Sequence, residues 1–107
     1  MDIYTTKPVK ELSREEFSEL LKCKNVKASP HAFFHLSIKQ RKVFNEDELI
    51  NMVNKENSRK TYLQENGRYV AYYRRKDGYR KVIVELEGEK ATIVSFMDTP
   101  ELPRIEL

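Results

Sequence analysis

His31 and His35 are spaced four residues apart, so on a helix their rings leave the same face, with Cβ atoms about 5–6 Å apart. Imidazole gains and loses a proton near neutral pH, and two side by side suit a reaction in which one group takes a proton while the other gives one. The same spacing can hold half a metal site. However, there is no H-E-x-x-H motif, no third ligand is in view, and Cys23 is remote in the sequence. Arg41 follows at the end of the same predicted helix, and its planar guanidinium is suited to a two-pronged phosphate contact. Plainer roles stay open: histidines on a helix surface or satisfied against the core, and an arginine offsetting the negative end of the helix dipole.

A second group lies further along. Arg68, Tyr72, Arg74 and Lys81 fall on one predicted sheet face, where arginine and lysine would hold phosphates and tyrosine would stack on a base. The alternative is a hairpin kept soluble by its charges. The net charge of +3, from 20 Lys and Arg against 17 Asp and Glu, permits a nucleic-acid partner without requiring one.

These residues need elements to hold them. Ser13 and Glu16 form a capping box with Leu12 and Phe17 as a staple, predicting a helix over about residues 14 to 24, followed by a short extended link at 25 to 28. Ser29-Pro30 is a start signal for a second helix running to about Arg41, since Pro is tolerated at N1. Asn45 with Glu48 opens a third, whose buried face is Leu49, Ile50, Met52 and Val53. The period then changes to alternation. Turn signals at Asn66-Gly67, Asp77-Gly78 and Gly88 predict four strands at about 60 to 65, 68 to 75, 79 to 86 and 90 to 97.

The expected fold is therefore α+β, with three N-terminal helices followed by a four-stranded antiparallel meander and the helices packed on one face. That face would hold Tyr69, Ala71, Tyr73, Val82, Val84, Leu86, Ala91, Ile93 and Met97. The other face, with Arg68, Val70, Tyr72, Arg74, Lys81, Ile83, Thr92, Val94 and Phe96, would be open. Pro100 and Pro103 make the end an extended tail.

A chain of 107 residues has room for one core, so residues 1–107 read as a single domain. The lone Cys23 excludes a disulfide framework and any multi-cysteine metal site. No run approaches the roughly 20 apolar residues that cross a bilayer, so the expectation is a cytosolic protein with no membrane partner. No cofactor is implied.

The order Ser29-Pro30-His31-Ala32, Gln40-Arg41, a capped helix from Asn45, the stretch Tyr69 to Tyr73 and the terminal Ile93-Val94-Ser95 resembles the barnase, EndoU, colicin and RelE superfamily of small nuclease-like domains. The resemblance covers residues 26–98, leaving 1–25 as an extra helix and 99–107 as the tail. It implies metal-independent RNA cleavage, often as the toxin of a toxin-antitoxin pair, with RNA and a cognate antitoxin as partners. His31 matches the family's histidine, Arg41 its arginine, and Ser95 stands where the family ends its strand in threonine. A different class, a non-catalytic module binding nucleic acid or protein through the basic aromatic face, uses the same sheet without needing the histidines.

Overall fold

The computed structural model describes residues 7–33 and 45–105. Within them the chain runs β1 (Pro8–Leu12), α1 (Arg14–Leu21), β2 (Asn25–Ala28), a 3-10 turn (Pro30–Phe33), α2 (Glu46–Lys55), β3 (Lys60–Gln64), β4 (Tyr69–Arg75), β5 (Gly78–Glu87) and β6 (Lys90–Thr99). This corrects the expected arrangement of three helices and then a meander. There are two α-helices among the described residues, strands are interleaved with them, and the sheet is six-stranded and mixed, in the order β1-β3-β4-β5-β6-β2. The four C-terminal strands do pair as consecutive antiparallel neighbours, but they form only its centre. β1 adds antiparallel to β3 and β2 adds parallel to β6.

The N-terminal half departs from expectation for local reasons. Ser13 Oγ accepts from the Glu16 amide at 3.0 Å while the Ser13 amide donates to Glu16 Oε1 at 3.0 Å, which fixes the start of α1 where the capping box predicts it. The helix stops at Leu21 rather than residue 24. Lys22 is extended (φ −59°, ψ 131°), Cys23 is left-handed (φ 66°), and the Lys24 amide donates back to the Leu21 carbonyl at 3.0 Å. That is a type II turn, and the chain leaving it is caught by the β5–β6 turn. The Asn25 amide donates to the Glu89 carbonyl at 2.8 Å and Lys24 Nζ to the Gly88 carbonyl at 2.9 Å. The short link thereby becomes β2. Beyond it, Ser29-Pro30 starts a helical turn as its sequence suggests, with Ala32 N donating to the Ser29 carbonyl at 2.9 Å. The rest of the predicted second helix, His35 and Arg41 included, lies outside the described residues. Asn45 Oδ1 accepts from the Glu48 amide at 2.8 Å and caps α2.

Helices cover one sheet face. Phe17 and Leu21 from α1, Leu49, Met52 and Val53 from α2, and Val26 from β2 pack on Ala71, Tyr73, Val82, Val84, Ala91, Ile93 and Phe96. Burying an aliphatic side chain of this kind stabilises by about 1.5–3 kcal/mol. The β4–β5 turn consists of Lys76-Asp77, since Arg75 pairs with Gly78, rather than Asp77-Gly78. The register thus slides by two residues, which leaves every side chain on its predicted face. Only at the end of β6 does the assignment fail. Ile83 pairs with Ser95 but Val84 with Ile93, so Val94 is an extra, bulged residue. Phe96 consequently points inward, and Met97, expected in the core, is 53% exposed.

Two backbone positions can be tested directly. Cys23→Gly, relieving the left-handed conformation, is expected to raise unfolding free energy by up to about 1 kcal/mol in urea titration. Gly78→Ala places a Cβ 2.5 Å from the Thr99 carbonyl oxygen and is expected to cost about 2 kcal/mol.

Candidate active-site edge and basic sheet face

His31 owes its position to β2. The parallel register aligns Val26 with Ala91 and Ala28 with Ile93, and the Ser29 amide extends it by donating to the Ile93 carbonyl at 2.9 Å. The 3-10 turn then anchors through Phe33, whose ring meets Phe96 edge-on at 5.4 Å. These two contacts, at Ile93 and Phe96, tie the turn that bears the exposed His31 to β6 on either side of the bulge. Its amide donates to Ser29 Oγ at 3.3 Å, so the Ser-Pro-His sequence closes on itself before Ala32 enters the core. The bulge acts on Ser95. Strict alternation from Ile93 puts Ser95 on the helix-covered face; in the structure it lies opposite Ile83 on the other face, half-buried.

The face expected to be open is covered. Tyr62, Val70 and Tyr72 form a second apolar cluster, on which Tyr79, Ile83 and the tail residues Leu102 and Ile105 pack. Tyr72 is 5% exposed, its ring centroid 6.5 Å from that of Tyr62. In this arrangement it offers no face to a base, which corrects the expected stacking role. Burial, reinforced by Tyr62, holds its hydroxyl well above the usual phenol range. Arg68 pairs with Glu85 at 3.6 Å, both about half exposed, a contact worth little in water. Arg74 donates to the Gly78 carbonyl at 2.8 Å and lies 5.2 Å from the centre of the Tyr79 ring. Lys81 stands between Tyr72 and Met97 in the cross-strand row, partly exposed. Arg74 and Lys81 thus share the tail-covered side of the sheet, whereas the turn bearing His31 is anchored in the helix-side core.

The sequence sets Arg80 among Arg74, Arg75, Lys76 and Lys81 as part of a basic surface, but it is the most buried cation of the described residues. It sits on the helix side with its side chain 7% exposed, Nε 2.9 Å from Asp98 Oδ1 and a terminal nitrogen 3.6 Å from Glu48 Oε1. It cross-links β5, β6 and α2, and the signal that would have found it is the cross-strand pairing with Asp98. A depression of about 450 Å³ beside it is lined by Arg75, Lys76, Arg80, Asp98 and Thr99. Its arginines are already engaged, because Glu56 takes Arg75 with both oxygens at 2.8 and 3.2 Å. Among the described residues no cluster of three His, Cys, Asp or Glu is assembled that could hold a metal.

Neither protein-family models, nor curated proteins, nor solved structures give a match to this chain. Among the described residues, no helix is long and apolar enough to cross a membrane.

Two stability measurements follow from this geometry. Arg80→Met, a hydrophobic replacement of similar length, is expected to change unfolding free energy by less than about 1 kcal/mol, whereas Asp98→Ala strands a buried guanidinium and costs about 1–2 kcal/mol. Tyr72 and Tyr73 both have hydroxyls held above the ordinary value of 10.0, chiefly by burial. The unfolded chain then loses protons that the folded one keeps, so stability is full below pH 10 and declines above it. Denaturant titration from pH 8 to 11 is expected to show that fall, and Tyr72→Phe to reduce it.

Proposed function

We propose that the protein is a metal-independent endoribonuclease acting at the β6 edge. One imidazole of the pair His31 and His35 takes the proton of a ribose 2′-hydroxyl, whose oxygen attacks the adjacent phosphorus. The bond to the 5′-oxygen breaks, and the other imidazole supplies the proton that this leaving oxygen needs. Arg41 neutralises charge on the phosphoryl oxygens as it develops, and Ser95 offers a hydroxyl to the same group. Arg74 and Lys81 hold the flanking strand, with Arg68 at the rim. The products are a 2′,3′-cyclic phosphate and a 5′-hydroxyl. A neutralising antitoxin, the protein partner this reading implies, would act by covering His31.

The observation that carries the reading is the meeting of β2 and the β6 bulge. A strand of four residues leads into the turn bearing the exposed His31, and that turn is tied to Ile93 and Phe96, on either side of the bulge that turns Ser95 out of the helix-side core. Bulges re-aim side chains in this way next to active sites. The two residues lie more than sixty positions apart in the chain, and they are two of those that the superfamily resemblance assigns to one site.

Purified protein is expected to cut an oligoribonucleotide in excess chelator, to leave the cyclic phosphate, and to spare a strand whose 2′-hydroxyls are replaced by hydrogen. His31→Ala and His35→Ala are each expected to lower the rate by about 10²–10⁴ with RNA affinity kept, because proton transfer acts in the transition state. Arg41→Lys is expected to be poorly tolerated. Binding without cutting, or cutting that survives replacement of both histidines, would overturn the catalytic reading and leave a nucleic-acid-binding module.

A further inference from the structure

The segment after β6 lies on a surface whose chemistry exceeds what the segment uses. Beneath residues 102–105 are three tyrosines, Tyr62, Tyr72 and Tyr79, with Val70 and Ile83 between them. Lys60, Arg74 and Lys81 occupy positions in the same cross-strand rows. Aromatic rings interleaved with cations are what proteins use to seat single-stranded nucleic acid, rings taking bases and cations taking phosphates. The segment fills this seat with lesser partners. Leu102 and Ile105 lie where bases would stack, and Lys60 Nζ donates to the neutral Pro103 carbonyl at 3.2 Å, a weaker acceptor for an ammonium than a phosphate oxygen. Gln64, two residues beyond Tyr62 on that face, is 2% exposed and its Oε1 has no hydrogen-bond partner among the described residues.

The attachment is also slight. Pro100 and Pro103 have no amide hydrogen to give a strand ladder, and both Leu102 and Ile105 keep part of their surface in water. Among the described residues, the Lys60 contact is the one hydrogen bond that ties residues 100–105 to the sheet, the Thr99 hydroxyl bonding only locally to the Glu101 carbonyl.

We propose that residues 100–105 form a displaceable strap occupying a seat for single-stranded RNA on the Tyr62–Tyr72–Tyr79 face. The proposal rests on the ribonuclease reading and adds to it where the substrate strand is held and what keeps that place closed in the free protein. RNA binds the face by replacing the strap, so the measured affinity is the intrinsic one reduced by the fraction of molecules in which the strap is off.

The test uses the full chain and a 2′-O-methyl oligouridylate, which can be bound but not cut, so that the outcome is independent of catalysis. The double variant Leu102→Ser, Ile105→Ser is expected to bind this probe at least about tenfold tighter than the natural sequence, and adding Lys60→Met is expected to remove most of the gain. Equal or weaker binding by a double variant with unchanged circular dichroism overturns the strap, while RNA cutting by the natural sequence leaves the ribonuclease reading standing. A second measurement needs no variant. Trypsin cleavage after Arg104 is expected to accelerate severalfold when the oligouridylate is added to the natural chain, and a rate that stays constant or falls at saturating probe overturns the proposal.

Discussion

Four residues of parallel pairing between β2 and β6 fix more of this molecule than their length suggests. They end α1, because the chain must reverse through the Lys22–Cys23 turn to lie along β6. They set the floor on which α2 packs, where Glu46 Oε1 accepts the Ala28 amide at 3.4 Å and Val26 joins the core. They also decide where His31 leaves the sheet. A parallel strand next to an antiparallel meander needs a crossover connection, and α2 falls in the chain between β2 at one sheet edge and β3, which lies next to the other. Loss of this pairing would leave β6 as a raw edge and His31 without an address.

The sheet is thin armour for a domain of this size, and it is covered differently on its two sides. On one side, helices of 8 and 10 residues supply a continuous apolar layer. On the other, a smaller cluster is closed by two aliphatic residues of an irregular segment. Uneven cover of this kind gives uneven local stability, since a surface held by few apolar contacts opens at lower free energy than the core. The buried Arg80 belongs to the firm side. Its ties to Asp98 and Glu48 fix helix against hairpin, and its contribution is better understood as orientation than as net stability.

Features decided within a few residues were legible in the sequence. Both helix caps stand where Ser13-Glu16 and Asn45-Glu48 put them, because a cap is a contact across three positions. The central strands were legible from their turns and alternation. Features decided by a distant partner were not. Pro8–Leu12 has three exposed positions and Asn25–Ala28 only one buried residue, so neither carries the pattern of a strand until an edge is offered to it. In β6, the apolar residues Ile93, Val94, Phe96 and Met97 fit either parity, and only pairing with β5 reveals the extra residue that selects Phe96. Gly78 carries a turn signal in the sequence, but its real constraint is the Thr99 carbonyl passing over it. The aromatic and basic face was recognised, but its cover was invisible because a proline-containing tail shows no period. At the candidate site, His31 stands out in the sequence by its four-residue spacing from His35, Ser95 only through the superfamily resemblance, and nothing local announces that a bulge turns Ser95 away from the helices.

The long reach of the β2–β6 pair also bears on the order in which the molecule comes into being. Lys24 and Gly88, which bond across the start of that pair, are 64 residues apart in the chain, so closing this contact carries a heavy entropic cost until the hairpins between them have formed. β6 is synthesised after every other element described. A nascent chain therefore carries His31 without the strand that orients it, and the β6 edge comes together only once that strand has cleared the ribosome. Until then the chemistry proposed for His31 has no formed site in which to act.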